Sequence, residues 1–269
     1  MRPAVSVVIT SYNRLPFLPA TVASLRAQTF KDWELVLVDD GSTDETRRWA
    51  RILSLEPMTF IRLPRRRGIA AARNRALART RGRFIAFIDS DDLWRPRYLE
   101  TMLAYFRRSE TMMTVSNYDS IDAEGRVTHR AADRPTHSID EPLRRVSGLR
   151  AAPCFSGCIF RRKVFDDIGG FDTGFQFSDD LDLFYRVAYR YGPQAIRFRR
   201  AALVQYRRHP GQITAVRGSL DDTGQIARTF LAKDSLVPAE KAYLLDMAYF
   251  HRKHAARLTD DRPPDLTAA

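Results

Sequence analysis

Cysteine is nearly absent from this sequence: there are two in 269 residues, Cys154 and Cys158, four apart in CFSGC. Such a pair, with no partnering His or second Cys pair, argues against a disulfide framework and makes a poor zinc site, so buried, inert thiols are expected. Long apolar runs are missing too. None approaches the ~20 residues that span a bilayer. The opening MRPAVSVVIT runs straight into a strand without the apolar core of a signal peptide, so a cytoplasmic protein is expected. No G-x-G-x-x-G follows the first strand, which argues against a dinucleotide-binding Rossmann enzyme. Zinc-finger spacing and an RRM-type aromatic signature are also lacking, so nucleic acid is not expected as a partner. Acidic residues are outnumbered, 32 against 44 Lys and Arg, for a net charge of +12. That excess suits an anionic partner, whether acidic headgroups or a phosphorylated small molecule, but does not choose between them. With 44% hydrophobic and 28% charged residues, the composition is globular, enough for one sizeable core and a small extension.

The stretch that organises the rest is RFIAFIDSDDLWRPRY, Arg83 to Tyr98. Phe84 to Ile88 has the pattern of a strand buried on both faces. It stops abruptly at Asp89, Ser90, Asp91 and Asp92. Three carboxylates in four residues repel one another, and a divalent cation, Mg²⁺ or Mn²⁺, would relieve that. The plainer reading is a solvated turn in which Asp91 or Asp92 caps a helix near Pro96. A position at the carboxyl end of a central strand, where α/β sheets bind ligands, favours the metal.

Around that stretch, strands and helices alternate. Val5 to Thr10 reads as a strand, Leu15 to Gln28 as a helix and Glu34 to Val38 as a second strand, which closes on Asp39 and Asp40. Ser42 and Glu45 have capping-box spacing for the next helix. A third strand, Thr59 to Leu63, leads through Arg65, Arg66 and Arg67 to a helix from Ala70 to Arg79. Arginines before a helix start suit phosphate. A helix from Arg97 to Arg107 and a strand from Met113 to Tyr118 follow. This alternation predicts a mostly parallel sheet covered by helices. Asp119 to Arg150 is polar and broken by Gly125, Pro135 and Pro142: a long excursion, with a hairpin at Ala123-Glu124-Gly125. Cys158 to Phe160 reads as a short strand, with a helical turn from Lys163. A break at Gly169-Gly170 precedes a helix opened by Asp179 and Asp180 and running to Tyr191. Ile196 to Phe198 and Leu203 to Tyr206 read as two late strands. From Ser219 the pattern is helical, and the chain divides into a domain over 1–218 and an extension over 219–269. The extension's apolar stripe suits packing, with a dimer surface or a basic membrane-surface helix as the other readings.

In order along the chain, VSVVITSYNR, ELVLVDDGSTDET, GIAAARNRAL, GRFIAFIDSDDLWRP, IGGFDTGF, SDDLDLFYRV and YRRHPGQIT resemble the motifs of glycosyltransferase family 2. The resemblance covers roughly Ala4 to Thr214. It implies the GT-A fold, a Rossmann-like mixed, mostly parallel α/β sheet. It also implies inverting transfer of a sugar from a nucleotide diphosphate sugar, with UDP the expected carrier and a glycan or lipid-linked hydroxyl as acceptor. By that resemblance Thr10, Tyr12, Asn13 and Arg14 line the nucleotide pocket, Asp39 and Asp40 lie at the base, and Arg73 helps hold the nucleotide. Asp89-Ser90-Asp91 matches the D-x-D motif. Asp89, Asp91, Asp92 and His209 would serve the metal and diphosphate, Mg²⁺ or Mn²⁺ being the cofactor. Trp94 belongs to the same donor-side group. Asp180 takes the place of the catalytic base. Asp179 stands where the family usually has Glu and would support it. The implied location is cytoplasmic or peripheral at the inner membrane face. A Mg²⁺-dependent nucleotidyltransferase would use the same acidic strand end but leaves Asp179-Asp180 and His209 unexplained. An inactive nucleotide-sugar-binding module would have little need of the intact acidic motifs.

Overall fold

The strand patterns pack as the alternation requires. This computed structural model describes residues 2–53, 58–131, 154–175 and 179–212. Strands β1 (Val5–Ser11), β2 (Trp33–Asp39), β3 (Met58–Arg62) and β4 (Phe84–Phe87) pair in parallel. The helices between them are α1 (Leu18–Arg26), α2 (Thr46–Ile52) and α3 (Ile69–Leu77). Pro19 sits in the first turn of α1, where a missing N–H costs nothing. α4 (Tyr98–Leu103) runs on into a 3₁₀ turn, Ala104–Arg107. Beyond β4 the sheet becomes mixed through β5 (Leu93–Trp94), β6 (Met113–Ile121), β7 (Val127–His129), β8 (Cys158–Arg161) and β9 (Ile196–Arg207). The order is β3-β2-β1-β4-β8-β6-β9-β5, with β7 paired to β6, and the longest ladders are parallel. α5 (Arg162–Ile168) and α6 (Asp179–Tyr191) complete the described helices.

Side chains alternate across the sheet and build a core on each face. Val7, Ile9, Leu35 and Leu37 pack with Leu18, Val22 and Leu25 of α1 and with Tyr98, Leu99 and Met102 of α4. Val8, Val36, Val38, Ile85 and Phe87 point the other way, toward α3, α5 and α6. Phe87 is the hub of that second core, its ring centroid 4.9 to 6.0 Å from those of Phe155, Phe160, Phe165 and Phe171. Phe87→Ala should therefore lower unfolding stability by about 3–5 kcal/mol, measured by denaturant titration, with the cavity left behind adding to the lost transfer energy.

Four local expectations are corrected. The Ser42–Glu45 capping box does not form: Ser42 Oγ accepts the N–H of Asn13 at 2.9 Å, and Asp44 Oδ1 accepts that of Thr46 at 3.1 Å. Neither Asp91 nor Asp92 caps α4, whose start has no side-chain cap. The two late strands are one, β9; its register against β6 shifts between Ser116 and Tyr118, and exposed Arg199, Arg200 and Ala201 had interrupted the apolar pattern. β5 was not foreseen, since it is only two residues long. The hairpin of β6 and β7 does turn at Asp122–Arg126, with Gly125 at φ +89. The remainder of the polar excursion, 132–150, and the helices from Ser219 lie outside the described residues. Cys154 and Cys158 are free and buried, and burial raises both thiols well above their ordinary pKa. No described helix is long and apolar enough to cross a membrane.

Candidate active site

Parallel strands place their carboxyl ends on one edge, and the site gathers there. A cavity of about 170 Å³ opens between the ends of β1 and β4, the start of α3 and the start of α6. Thr10, Tyr12 and Arg14 line it from β1 and the following loop, Asp40 from the end of β2, and Arg66 and Arg73 from around α3. Asp89, Ser90 and Asp91 line it from the end of β4, and Asp179 and Asp180 from α6, some ninety residues later. Most of the residues singled out from the sequence therefore meet in one place.

The neighbouring turns are built from the remaining polar groups. Asn13, at φ +52, does not line the cavity. Its Oδ1 accepts the Thr43 N–H at 2.8 Å, tying the loop after β1 to the loop after β2. Asp39 is fully buried, accepts the Ser42 N–H at 2.9 Å and lies 3.3 Å from Arg62 Nε. Asp40 accepts the N–H groups of Arg67 and Gly68 at 2.7 and 2.9 Å, which fixes the entry to α3. Burial raises its pKa above the ordinary carboxylate value. Gly41 lets these loops close: at φ +75, an added Cβ would lie 2.6 Å from the Arg65 carbonyl carbon.

The acidic motif separates into residues that face the cavity and one that does not. The Asp89 N–H donates to Ser156 Oγ at 3.0 Å, and Asp89 Oδ1 accepts a hydrogen bond from Arg73 at 3.1 Å. Asp91 Oδ2 lies 2.9 Å from His209 Nε2 and 3.5 Å from Arg14 Nε. The His209 ring packs on Phe17 at 4.5 Å, and Arg14 also donates to the Gly211 carbonyl, so the segment after β9 is held over Asp91. Asp92 is 0% exposed and both its oxygens are occupied, by Ser156 Oγ at 2.6 Å and by the Arg207 N–H at 2.9 Å. Burial, then the charges of Asp91 and Asp89, push its carboxyl well above the ordinary range. Trp94 is likewise internal, its indole N–H donating to the Ser156 carbonyl at 2.6 Å and its ring stacked on Tyr98 at 4.2 Å. Neither Asp92 nor Trp94 lines the cavity.

At the far wall, Arg73 is 3% exposed and joins Asp89 to Asp179, with hydrogen bonds of 3.1 and 2.9 Å. Asp180 is half-buried and accepts the Leu181 N–H at 2.7 Å. Burial, then the charge of Asp179, raises its pKa to about 7. A carboxylate with that pKa in a cavity is suited to accept a proton near neutral pH.

The donor set also fits a hard cation. Oδ2 of Asp89 and Oδ1 of Asp91 make no hydrogen bond or ion pair among the described residues. No three His, Cys, Asp or Glu groups among those residues stand together as a complete metal cage. Mg²⁺ commonly binds through one or two carboxylates and takes its other ligands from substrate phosphates and water, which suits this arrangement.

Sequence reasoning passed over Ser156, which braces Asp89 and Asp92 together, and Tyr206 and Gln212, which line the cavity. Ser156 lies in a 3₁₀ turn (Phe155–Gly157) that has no periodic signal. Arg66, read only as part of a basic run, has its guanidinium 4.4 Å above the Tyr12 ring.

Comparison with known proteins gives a consistent picture. Residues 6–169 match the family described as Glycosyl transferase family 2. A putative teichuronic acid biosynthesis glycosyltransferase, TuaG of Bacillus subtilis, is 36% identical over 128 residues, covering 46% of this chain and 50% of that protein. The UDP-Glc:alpha-D-GlcNAc-diphosphoundecaprenol beta-1,3-glucosyltransferase WfgD of Escherichia coli is 36% identical over 118 residues, 44% of this chain and 47% of that one. The chain thus spans about half the length of these curated relatives. Among solved structures, Staphylococcus aureus TarS 1–349 in complex with UDP-GlcNAc superposes with a TM-score of 0.72 at 20% identity, over 94% of this chain and 73% of that one. The mannosyltransferase PcManGT of Pyrobaculum calidifontis, in complex with GDP-Man and Mn²⁺, gives 0.67 at 23% identity, over 96% and 74%.

Proposed function

The chain belongs to glycosyl transferase family 2 and has the GT-A fold, and on that premise we propose that it transfers one sugar, with inversion, from a nucleotide diphosphate sugar to an acceptor hydroxyl. The observation that carries the proposal is the meeting at one cavity of the Asp89-Ser90-Asp91 strand end and the Asp180 carboxylate. UDP is the proposed carrier, because the relatives above include proteins named for UDP-Glc and a structure holding UDP-GlcNAc. A lipid-linked diphosphate sugar or a growing glycan is the proposed acceptor, and envelope polysaccharide synthesis at a membrane surface the proposed setting, a reading supported by the names of the relatives.

In this mechanism the nucleotide lies against Thr10, Tyr12 and Arg14, with Asp39 and Asp40 shaping the wall beneath it. Asp91, assisted by Asp89, would hold Mg²⁺ or Mn²⁺, which supplies positive charge to the diphosphate as it departs. Asp92 acts from behind by holding the turn, and His209 by steering the Asp91 carboxylate. Arg14 adds cationic charge at the same place. Asp180 takes the proton of the acceptor hydroxyl, which attacks the anomeric carbon from the side opposite the leaving group. Asp179 keeps its neighbour in place.

The test is product formation from a panel of nucleotide sugars with a polyprenyl-diphosphate-linked sugar. UDP-sugars should be turned over in a metal-dependent way with release of UDP; formation of UTP and sugar 1-phosphate from UDP-sugar and pyrophosphate instead would identify a nucleotidyltransferase. The pH profile adds a second check. Asp180 works unprotonated, so kcat/KM should rise about tenfold per pH unit up to roughly 7 and level off above it. The same raised pKa makes the folded state bind more protons than the unfolded one between about 4 and 7, so this group's contribution to stability falls as pH rises through that window. A flat profile across pH 5.5–8 would remove Asp180 from the base role.

A further inference from the structure

Arg73, expected to help hold the nucleotide, lines the cavity and also has the surroundings of a brace. Its guanidinium bonds Asp89 on one side and Asp179 on the other, two residues ninety positions apart in sequence. It also lies over two aromatic rings, 4.1 Å from the Phe155 centroid and 5.4 Å from that of Phe171. Asp179 is 1% exposed, and its carboxylate meets Arg73 at 2.9 Å. α3 carries Arg73 into this gap from a buried face of alanines, Ala70, Ala72 and Ala76, which allow the helix to approach the sheet closely.

We propose that Arg73 is a positioning residue, a strut that sets the separation between the donor-side carboxylate Asp89 and the first turn of α6, and thereby aims Asp180. Successive residues of a helix point about 100° apart, so locking Asp179 against Arg73 fixes the rotation of that turn and hence the direction of its neighbour. A planar fork held over the Phe155 ring can bond two carboxylates at once, whereas an ammonium is a single point charge on a flexible stem. The charge has a second effect of the same sense: Arg73 favours the ionised form of Asp180 against burial and the Asp179 charge. Misplacing a reacting group by about 1 Å can cost on the order of 10²-fold in rate, so a brace outside the reacting atoms matters to turnover.

This inference rests on Asp180 being the base. The experiment compares wild type, Arg73→Lys, Asp179→Asn, the double variant and Asp180→Asn in the full chain. It records UDP affinity by calorimetry with Mn²⁺ and turnover at saturating UDP-sugar, including slow donor hydrolysis. Arg73→Lys and Asp179→Asn should each lower turnover by roughly 10- to 100-fold and change UDP affinity by less than about twofold. The double variant should be little worse than the poorer single one, because both cut the same link. A tenfold loss of UDP affinity with unchanged saturated turnover would instead make Arg73 a nucleotide ligand and overturn the strut. Additive losses in the double variant would also overturn it. If Arg73→Lys does not fold, judged by its melting transition, Asp179→Leu decides, since it removes both the charge and the acceptor of the link; unchanged turnover there refutes the proposal. Failure of the underlying reading is separate, and would appear as near-normal turnover in Asp180→Asn.

Discussion

Asp180→Asn should lower sugar transfer by about 10²–10⁴-fold, the range typical for loss of a general base, while UDP binding stays close to that of the native chain. Asparagine keeps the size of the side chain and can still accept the Leu181 N–H, so the first turn of α6 has no reason to move. What is lost is a cavity carboxylate whose pKa burial lifts to about 7. A fall in kcat and kcat/KM together, with donor affinity preserved, marks an interaction made in the transition state and not in the bound ground state. Asp179→Asn should be the milder change, because Asp179 faces Arg73 and acts through its neighbour. Near-normal transfer in Asp180→Asn combined with its abolition in Asp179→Asn would exchange the two roles.

Asp91→Asn should remove most of the metal dependence of UDP binding. In the native chain, calorimetry should show UDP binding at least tenfold tighter with Mn²⁺ than with chelator, about 1.4 kcal/mol or more. In the variant the two values should converge. Asp91 lines the cavity, and one of its oxygens is not engaged among the described residues, the other being held by His209 and Arg14. Asp92→Asn should behave differently. Both oxygens of Asp92 serve the fold, one on Ser156 and one on the Arg207 N–H, so its loss should appear first in thermal stability. Equal UDP affinity with and without Mn²⁺ in the native chain would refute the metal role of Asp91.

Much of this was legible along the chain because the physics was local. Val5–Ser11, Trp33–Asp39 and Phe84–Phe87 are β-branched or aromatic runs buried on both faces, and such runs, alternating with amphipathic helices, leave little choice but a parallel sheet. Once strands are parallel, Asp39-Asp40 and Asp89-Ser90-Asp91 must end on the same edge, so the position of the site follows from the strand pattern. The ordered motifs carried the family in the same way. The thiols needed no structure either: with no ligand-bearing partner in sequence, burial was their expected fate, and they are buried.

Only the tertiary structure decided which member of each acidic group faces the cavity. Asp91 and Asp92 are adjacent and chemically identical, yet one lines the site and the other is sealed behind it by Ser156 and Arg207, residues 64 and 115 positions away. Trp94 was placed with the donor-side residues from its neighbourhood, whereas its ring packs on Tyr98 inside the core. The pairing of Arg73 with Asp179 spans 106 positions, and no periodicity encodes it. The same is true of the raised pKa of Asp180, which depends on burial and on a neighbour's charge and not on residue type. Backbone pattern is a property of contiguous residues and can be read from them. Side-chain direction at a strand end, the partner of a buried charge and the dielectric around a carboxylate depend on residues distant in sequence, so they appear only when the sheet has brought those residues together.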